Sequence, residues 1–281
     1  MTLPRPPDGP DNRPVMSDPR DRVSGMEPTR YLDCLATDYG LLRAAAESAR
    51  ASDPVPSCPG WTLGDLVSHV GEVYLHKATV MRDGKWPDPW PPEEYASVAP
   101  LALLDRGYRE VTVEFAARPA DQTVLTWFGP EQTVGFWIRR MAQETVVHRM
   151  DAQLAAREPV TPAPDDLAID GVDEVLKRFV EYGAAEWPEE YQAIAGGHPA
   201  GADGTAAVVV SAGPASWTVR PAPSAVSVAD GGAEGARAVV AATPDGMLRW
   251  LWGRADDSVI TVTGDPEWAA YLRRVLAALT G

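Results

Sequence analysis

Glu144 and His148, four residues apart in WIRRMAQETVVHRMDA, are the side chains of this chain with the plainest capacity for chemistry. On a helix that spacing sets a carboxylate and an imidazole one turn apart on one face. His69, in WTLGDLVSHVG, is a distant third donor. Three such ligands with coordination positions left open make a reactive metal site, because a structural site fills all four positions with protein. The chemistry this suggests is activation of a small nucleophile, a thiol first among them.

These side chains need helices to position them. A helical pattern opens near Tyr31 and runs through Leu32, Leu35, Leu41, Leu42 and Ala45 until Asp53-Pro54 and Pro56 end it. Thr62, with Asp65 three residues on, opens a second helix from about Leu63 to Arg82 in the manner of a capping box. Its inward stripe reads Leu66, His69, Val73, His76 and Val80. The proline-rich loop GKWPDPWPPEEY follows, then a third helix over about Leu101–Ala117 and a short extended stretch near Val124–Phe128. The fourth helix, about Val134–Ala156, turns Trp137, Met141, Glu144, His148 and Asp151 inward.

REPVTPAPD, residues 157–165, has three prolines and no periodicity, and marks a domain boundary. Beyond it a helix over Asp166–Glu186 precedes the glycine-rich AGGHPAGADG. Short strands follow at Ala206–Ser211, Ser216–Arg220, Ala225–Val228 and Ala238–Ala241, reading as an antiparallel sheet. Helices at Pro244–Trp252 and Glu267–Leu279, with a strand at Val259–Thr263 between them, complete an α+β domain. The expected organisation is a disordered tail over 1–27, a helical bundle over 28–158 and a C-terminal α+β domain over 165–281.

Composition narrows the partners. A net charge of −15 argues against nucleic acid and anionic membranes, both of which call for a concentrated positive field. No run of 18 apolar residues and no signal-like start are visible, so a cytoplasmic protein handling small molecules is expected. Cys34 and Cys58 are too few for a disulfide scaffold, as suits a reducing compartment.

A buried carboxylate requires a cationic or hydrogen-bonding partner. For Glu144 that partner is a metal, or else Arg140 or a neighbouring tyrosine or tryptophan. His76 rivals His69 from the same face. His198 lies in a Gly/Pro loop and is expected to face solvent. Cys58, at a helix start, is read as a packing residue rather than a nucleophile.

Four collinear motifs, VPSCPGWTLGDLVSHVGEV, WIRRMAQETVVHRMDAQLA, DGVDEVL and DGMLRWLWGRADDSVITVTGD, closely resemble the mycothiol-dependent maleylpyruvate isomerase family. The resemblance implies a DinB-like four-helix bundle holding a divalent metal, usually zinc, followed by a smaller sterol-carrier-like α/β domain. It places the metal triad on His69, Glu144 and His148, favouring His69 over His76, and a catalytic arginine on Arg254 of WLWGR. Mycothiol would be the thiol cofactor. Its thiolate would add to the double bond of an unsaturated diacid such as maleylpyruvate, allow rotation and depart, with the arginine holding a carboxylate. The same device would serve S-transfer of mycothiol or thiol exchange on an electrophile. A non-catalytic metal- or thiol-binding protein, or a regulatory one, are readings of other classes. The N-terminal extension and GKWPDPWPPEEY lie outside the motifs.

Overall fold

The computed structural model describes residues 25–189, 191, 206–222 and 225–279. Most of the expected tail, His198 and the loop around it lie outside the described residues. The chain divides into two compact units, one ending at Thr161 and the other beginning at Pro162. Among the described residues no helix is long and apolar enough to cross a membrane.

The first unit is built on four helices: α1 (Pro28–Ser48), α2 (Leu63–Asp83), α3 (Pro100–Ala116) and α4 (Val134–Ala155). Pro28 occupies the first turn of α1, where its missing N–H costs nothing. Thr62 and Asp65 close a complete capping box at the start of α2, and Gly84, in the left-handed region at φ 67°, ends it. The 62/65 pair fixes where α2 begins and therefore the rotation at which it presents His69. Two glycines set its height against α3. A Cβ on Gly71 would lie 2.7 Å from the backbone carbonyl carbon of Leu103, and one on Gly107 would run into the Gly71 carbonyl oxygen, so the helices cross at backbone contact.

Opposite, α1 packs on α4. The helix α4 is buried nearly all round, and its interior contacts include charged groups. Arg149, fully buried, donates from Nε to Oδ1 of Asp38 on α1 at 2.8 Å and from Nη1 to Gln153 and to the carbonyl of Thr161. Thr133 caps the first turn, and Trp137 donates from its indole to the carbonyl of Leu125 at 2.9 Å. These bonds pin α4 along its length.

Two connections differ from expectation. The stretch Val124–Phe128 is not a strand; a single bridge joins Thr123 to Thr133, because this short loop has no other partner strand to pair with. The proline-rich loop ends in a short 3₁₀ turn, Glu93–Ser97, that seats Tyr95 against Leu75 and Leu103.

In the second unit α5 (Asp165–Glu174) runs without a break through a π-helical segment, Val175–Glu181, into α6 (Tyr182–Glu186). Five strands follow: β1 (Val208–Ala212), β2 (Ala215–Ala222), β3 (Ala225–Asp230), β4 (Ala238–Ala242) and β5 (Thr261–Gly264). Their spatial order is β3-β2-β1-β4-β5. Helix α7 (Pro244–Leu251) packs on β1 and β4, and α8 (Pro266–Leu279) on β4 and on the π-helical segment. This is an α+β fold, and most of the sheet is antiparallel as expected. The exception is β1 with β4, which run parallel, Val208 opposite Ala238 through Ala212 opposite Ala242. A glycine-bearing connection, residues 231–237, joins β3 to β4 without a helix, and a Cβ on Gly232 would lie 3.8 Å from the Val209 side chain.

Candidate metal centre

The loop between α1 and α2 is the first contributor. Val55 and Trp61 are joined by a backbone bond of 3.0 Å, and Cys58 and Trp61 each donate to the residue three before, winding SCPGW into a tight coil with Gly60 at φ 87°. The coil brings Ser57, Cys58 and Trp61 to the side of α4 that carries Glu144, His148 and Asp151.

His69 from α2 and His148 from α4 meet there with their rings edge to face, centroids 5.2 Å apart. Between them lies one oxygen of Glu144. Oε1 is 3.3 Å from Nε2 of His69 and 3.2 Å from Nε2 of His148. All three ligand atoms lie within 4.8 Å of one another. The other oxygen, Oε2, accepts from Nη2 of Arg140 at 2.5 Å. Of the partners proposed for Glu144 from sequence, the structure shows Arg140, which takes one oxygen, while the second faces both imidazoles.

This donor set suits a divalent cation. Two imidazole nitrogens and a carboxylate oxygen are zinc ligands, and a tetrahedral ion with bonds of about 2.0–2.1 Å separates its ligands by about 3.3–3.4 Å. Both Oε1–Nε2 separations fall close to that edge length. Three protein donors would leave room for a small molecule.

The surroundings tune each donor. Burial raises the Glu144 carboxyl, but the charges of His148 and Arg140 outweigh it and hold the group well below the usual carboxylate range. Burial lowers His69, whose ring also meets the edge of Trp61 at 5.0 Å. For His148 burial again pulls down, and Glu144 and Asp151 overcome it, leaving the imidazole raised. Nδ1 of His148 donates to Oδ2 of Asp151 at 2.9 Å, which fixes the tautomer with Nε2 directed to the centre. Ser57 donates from Oγ to Oδ1 of the same carboxylate at 2.5 Å, and Cys58 from Sγ to Oδ2 at 3.6 Å.

The structure thus brings together His69, Glu144 and His148. His76 is elsewhere, half-buried between Trp86 and Trp90. Arg254 belongs to the second unit, directly after α7, where its guanidinium donates to the carbonyl of Trp252 at 2.6 Å and Gly253 turns the chain at φ 72°. Asp151, placed on the inward face from sequence, turns out to serve His148. A carboxylate three residues after His148 was the available signal. Ser57 had none, being 94 residues away.

Residues 32–153 match the model of the mycothiol maleylpyruvate isomerase N-terminal domain, and residues 166–270 match that of the MDMPI C-terminal domain. The chain belongs to the mycothiol-dependent maleylpyruvate isomerase family. Two crystal structures share the fold of this family member. One, of the mycothiol-dependent maleylpyruvate isomerase, has a TM-score of 0.58 at 16% identity, covering 85% of this chain and 93% of its own. The other, of a histidine-to-alanine mutant of that enzyme, has a TM-score of 0.56 at 15% identity with the same coverage. No curated protein matches the sequence.

Proposed function

We propose that this family member is a metal- and mycothiol-dependent enzyme that converts an unsaturated diacid from its cis to its trans form. The observation that carries the reading is the convergence of His69, Glu144 and His148 from two helices on one small space, with Oε1 of Glu144 within 3.3 Å of both imidazoles. His69, Glu144 and His148 would hold a divalent cation, zinc by the donor set, which would supply a thiolate nucleophile at neutral pH by lowering the pKa of a thiol.

The protein's own groups hold and orient. Nε2 of His148 is kept as a lone-pair donor because Nδ1 gives its proton to Asp151. Arg140 occupies Oε2 of Glu144 and restricts that carboxylate to a single donor oxygen. Trp61 packs edge-on against the His69 ring at 5.0 Å. The family resemblance implies that Arg254 would hold a substrate carboxylate, for which its planar, permanently charged guanidinium is suited. An addition and expulsion of the thiol at the double bond leaves the cofactor unchanged and requires no net proton or electron.

The test pairs metal analysis with turnover. The purified protein is expected to hold about one zinc, to lose most of it in His69→Ala and His148→Ala, and to isomerise maleylpyruvate only when mycothiol is present. Undiminished zinc in both variants would overturn the centre. Stoichiometric consumption of mycothiol with an electrophile, and no isomerisation, would make the enzyme an S-transferase.

A further inference from the structure

Eight residues beyond His69 on α2, Lys77 is 4% exposed. Its ammonium has one hydrogen-bond partner, Nδ1 of His76 at 3.2 Å, and lies over the indole of Trp137, 5.0 Å from the ring centre. Among the described residues no carboxylate pairs with it; the charges of Glu144 and Arg140 act on it from further off and with opposite sign. Burying an ammonium without a carboxylate is costly, and such lysines are rare. An imidazole lone pair and an aromatic face satisfy it only in part, since it has three protons to donate.

Aromatic rings flank the pair. Nδ1 of His76 accepts from Lys77, so its other nitrogen carries the proton and is a second donor. The His76 ring is half-buried between two tryptophans of the proline-rich loop, Trp86 at 5.7 Å and Trp90 at 5.0 Å. Trp90 is itself seated edge-on against Tyr95 at 5.7 Å. His69 and His76 lie seven residues apart, about 10 Å along one face of α2, and a lysine side chain leans toward its helix N-terminus, here toward His69. The loop that the family motifs leave unexplained therefore walls a cationic spot in line with the metal centre.

We propose that Lys77 and His76, walled by Trp86 and Trp90, bind a carboxylate of the substrate acid. The identity of the acid rests on the function proposed above; the anion chemistry does not. The site gives the substrate a fixed end, so that its unsaturated portion extends back along α2 toward the triad.

Calorimetric titration of the full chain with maleate, and with the neutral maleamide as control, tests this in both zinc-loaded and metal-free protein. Maleate is expected to bind in both forms and maleamide in neither. Lys77→Met, which keeps most of the apolar stem and removes the charge, should weaken maleate at least 30-fold with zinc content unchanged, and Lys77→Arg should stay within about fivefold of wild type. His76→Phe removes the second donor without touching the lysine and should weaken maleate roughly five- to tenfold. Wild-type affinity in Lys77→Met, or no binding of maleate to the wild-type protein, overturns the site. Maleate binding that depends on Lys77 in a protein that does not isomerise would keep the site and count against the proposed reaction alone.

Discussion

Nδ1 of His148 donates to Oδ2 of Asp151 across 2.9 Å, with the two side chains 3% and 0% exposed. The carboxylate is held in turn by the hydroxyl of Ser57, from a loop that precedes α2. A histidine so fixed can offer only Nε2 to the centre, and its orientation is decided before any ligand arrives. Asp151→Asn keeps the shape and an acceptor oxygen but removes the charge that supports the imidazole. It should weaken zinc 10- to 100-fold in competition with a chelator, with helix content unchanged. Ser57→Ala should produce a smaller loss in the same direction. Wild-type zinc affinity in Asp151→Asn would show that the bond has no influence on the centre.

The neighbouring ion pair has a different task. Arg149 and Asp38 are buried between α1 and α4, and burial pushes the Asp38 carboxyl upward against the lowering effect of the arginine. Removing one partner strands the other, so Asp38→Ala should destabilise the protein by about 3–5 kcal/mol in denaturant unfolding. The double variant Asp38→Leu with Arg149→Met should recover much of that loss, because both desolvation penalties vanish together. A single variant as stable as wild type would mean that water reaches the pair.

Much of the helical unit was legible because its punctuation is chemical. Thr62 with Asp65 announces the start of α2, and the observed helix, Leu63–Asp83, begins where that pair places it. The helix α4 was found by length and composition rather than by a clean stripe, since Arg139, Arg140, Gln143, Arg149 and Gln153 are buried along with its apolar residues. The triad was approachable for the same reason that Ser57 was not: the i, i+4 geometry of Glu144 and His148 is local, while Ser57 and Asp151 meet only through the path of a loop. In the second unit the parallel pairing of β1 with β4 was hidden, because parallel neighbours are normally joined by a helical crossover of a dozen residues or more. Here β2 and β3 lie between the two in the chain, and seven residues with three glycines lead from β3 to β4. The π-helical segment over Val175–Glu181 also leaves no mark on the periodicity.

The crossing of α2 and α3 supplies a steric prediction. Gly71→Ala would press a methyl group against the backbone of Leu103, which cannot move as a side chain tip can. The helices must separate, loosening Tyr74 and Leu104 from a core where both are fully buried. A loss of about 2–4 kcal/mol is expected in unfolding experiments, despite the higher helix propensity of alanine. Gly40→Ala, on α1 with open space around it, is the control and should leave stability unchanged or slightly raised.

Lys77 and His76 give a pH dependence whose sign can be worked out. Burial brings the Lys77 ammonium down to about 8 from its usual 10.5. Between those values the unfolded chain holds a proton that the folded chain has released, so stability rises with pH across about 8–10.5, by up to about 1.4 kcal/mol per pH unit. Burial, helped by the charge of Lys77, brings His76 down to about 3 from 6.5, so its contribution is lost as the pH falls from 6.5 toward 3. In metal-free protein in a carboxylate-free buffer, Lys77→Met should therefore be more stable than wild type below pH 8. That advantage should shrink as the pH rises and vanish near 10.5. A constant difference between the two proteins from pH 7 to 11 would show that the ammonium is not held in a penalised state. The expected behaviour is that of a group retained against stability, and maleate, if it binds at Lys77, should narrow the gap at neutral pH by stabilising the wild-type protein alone.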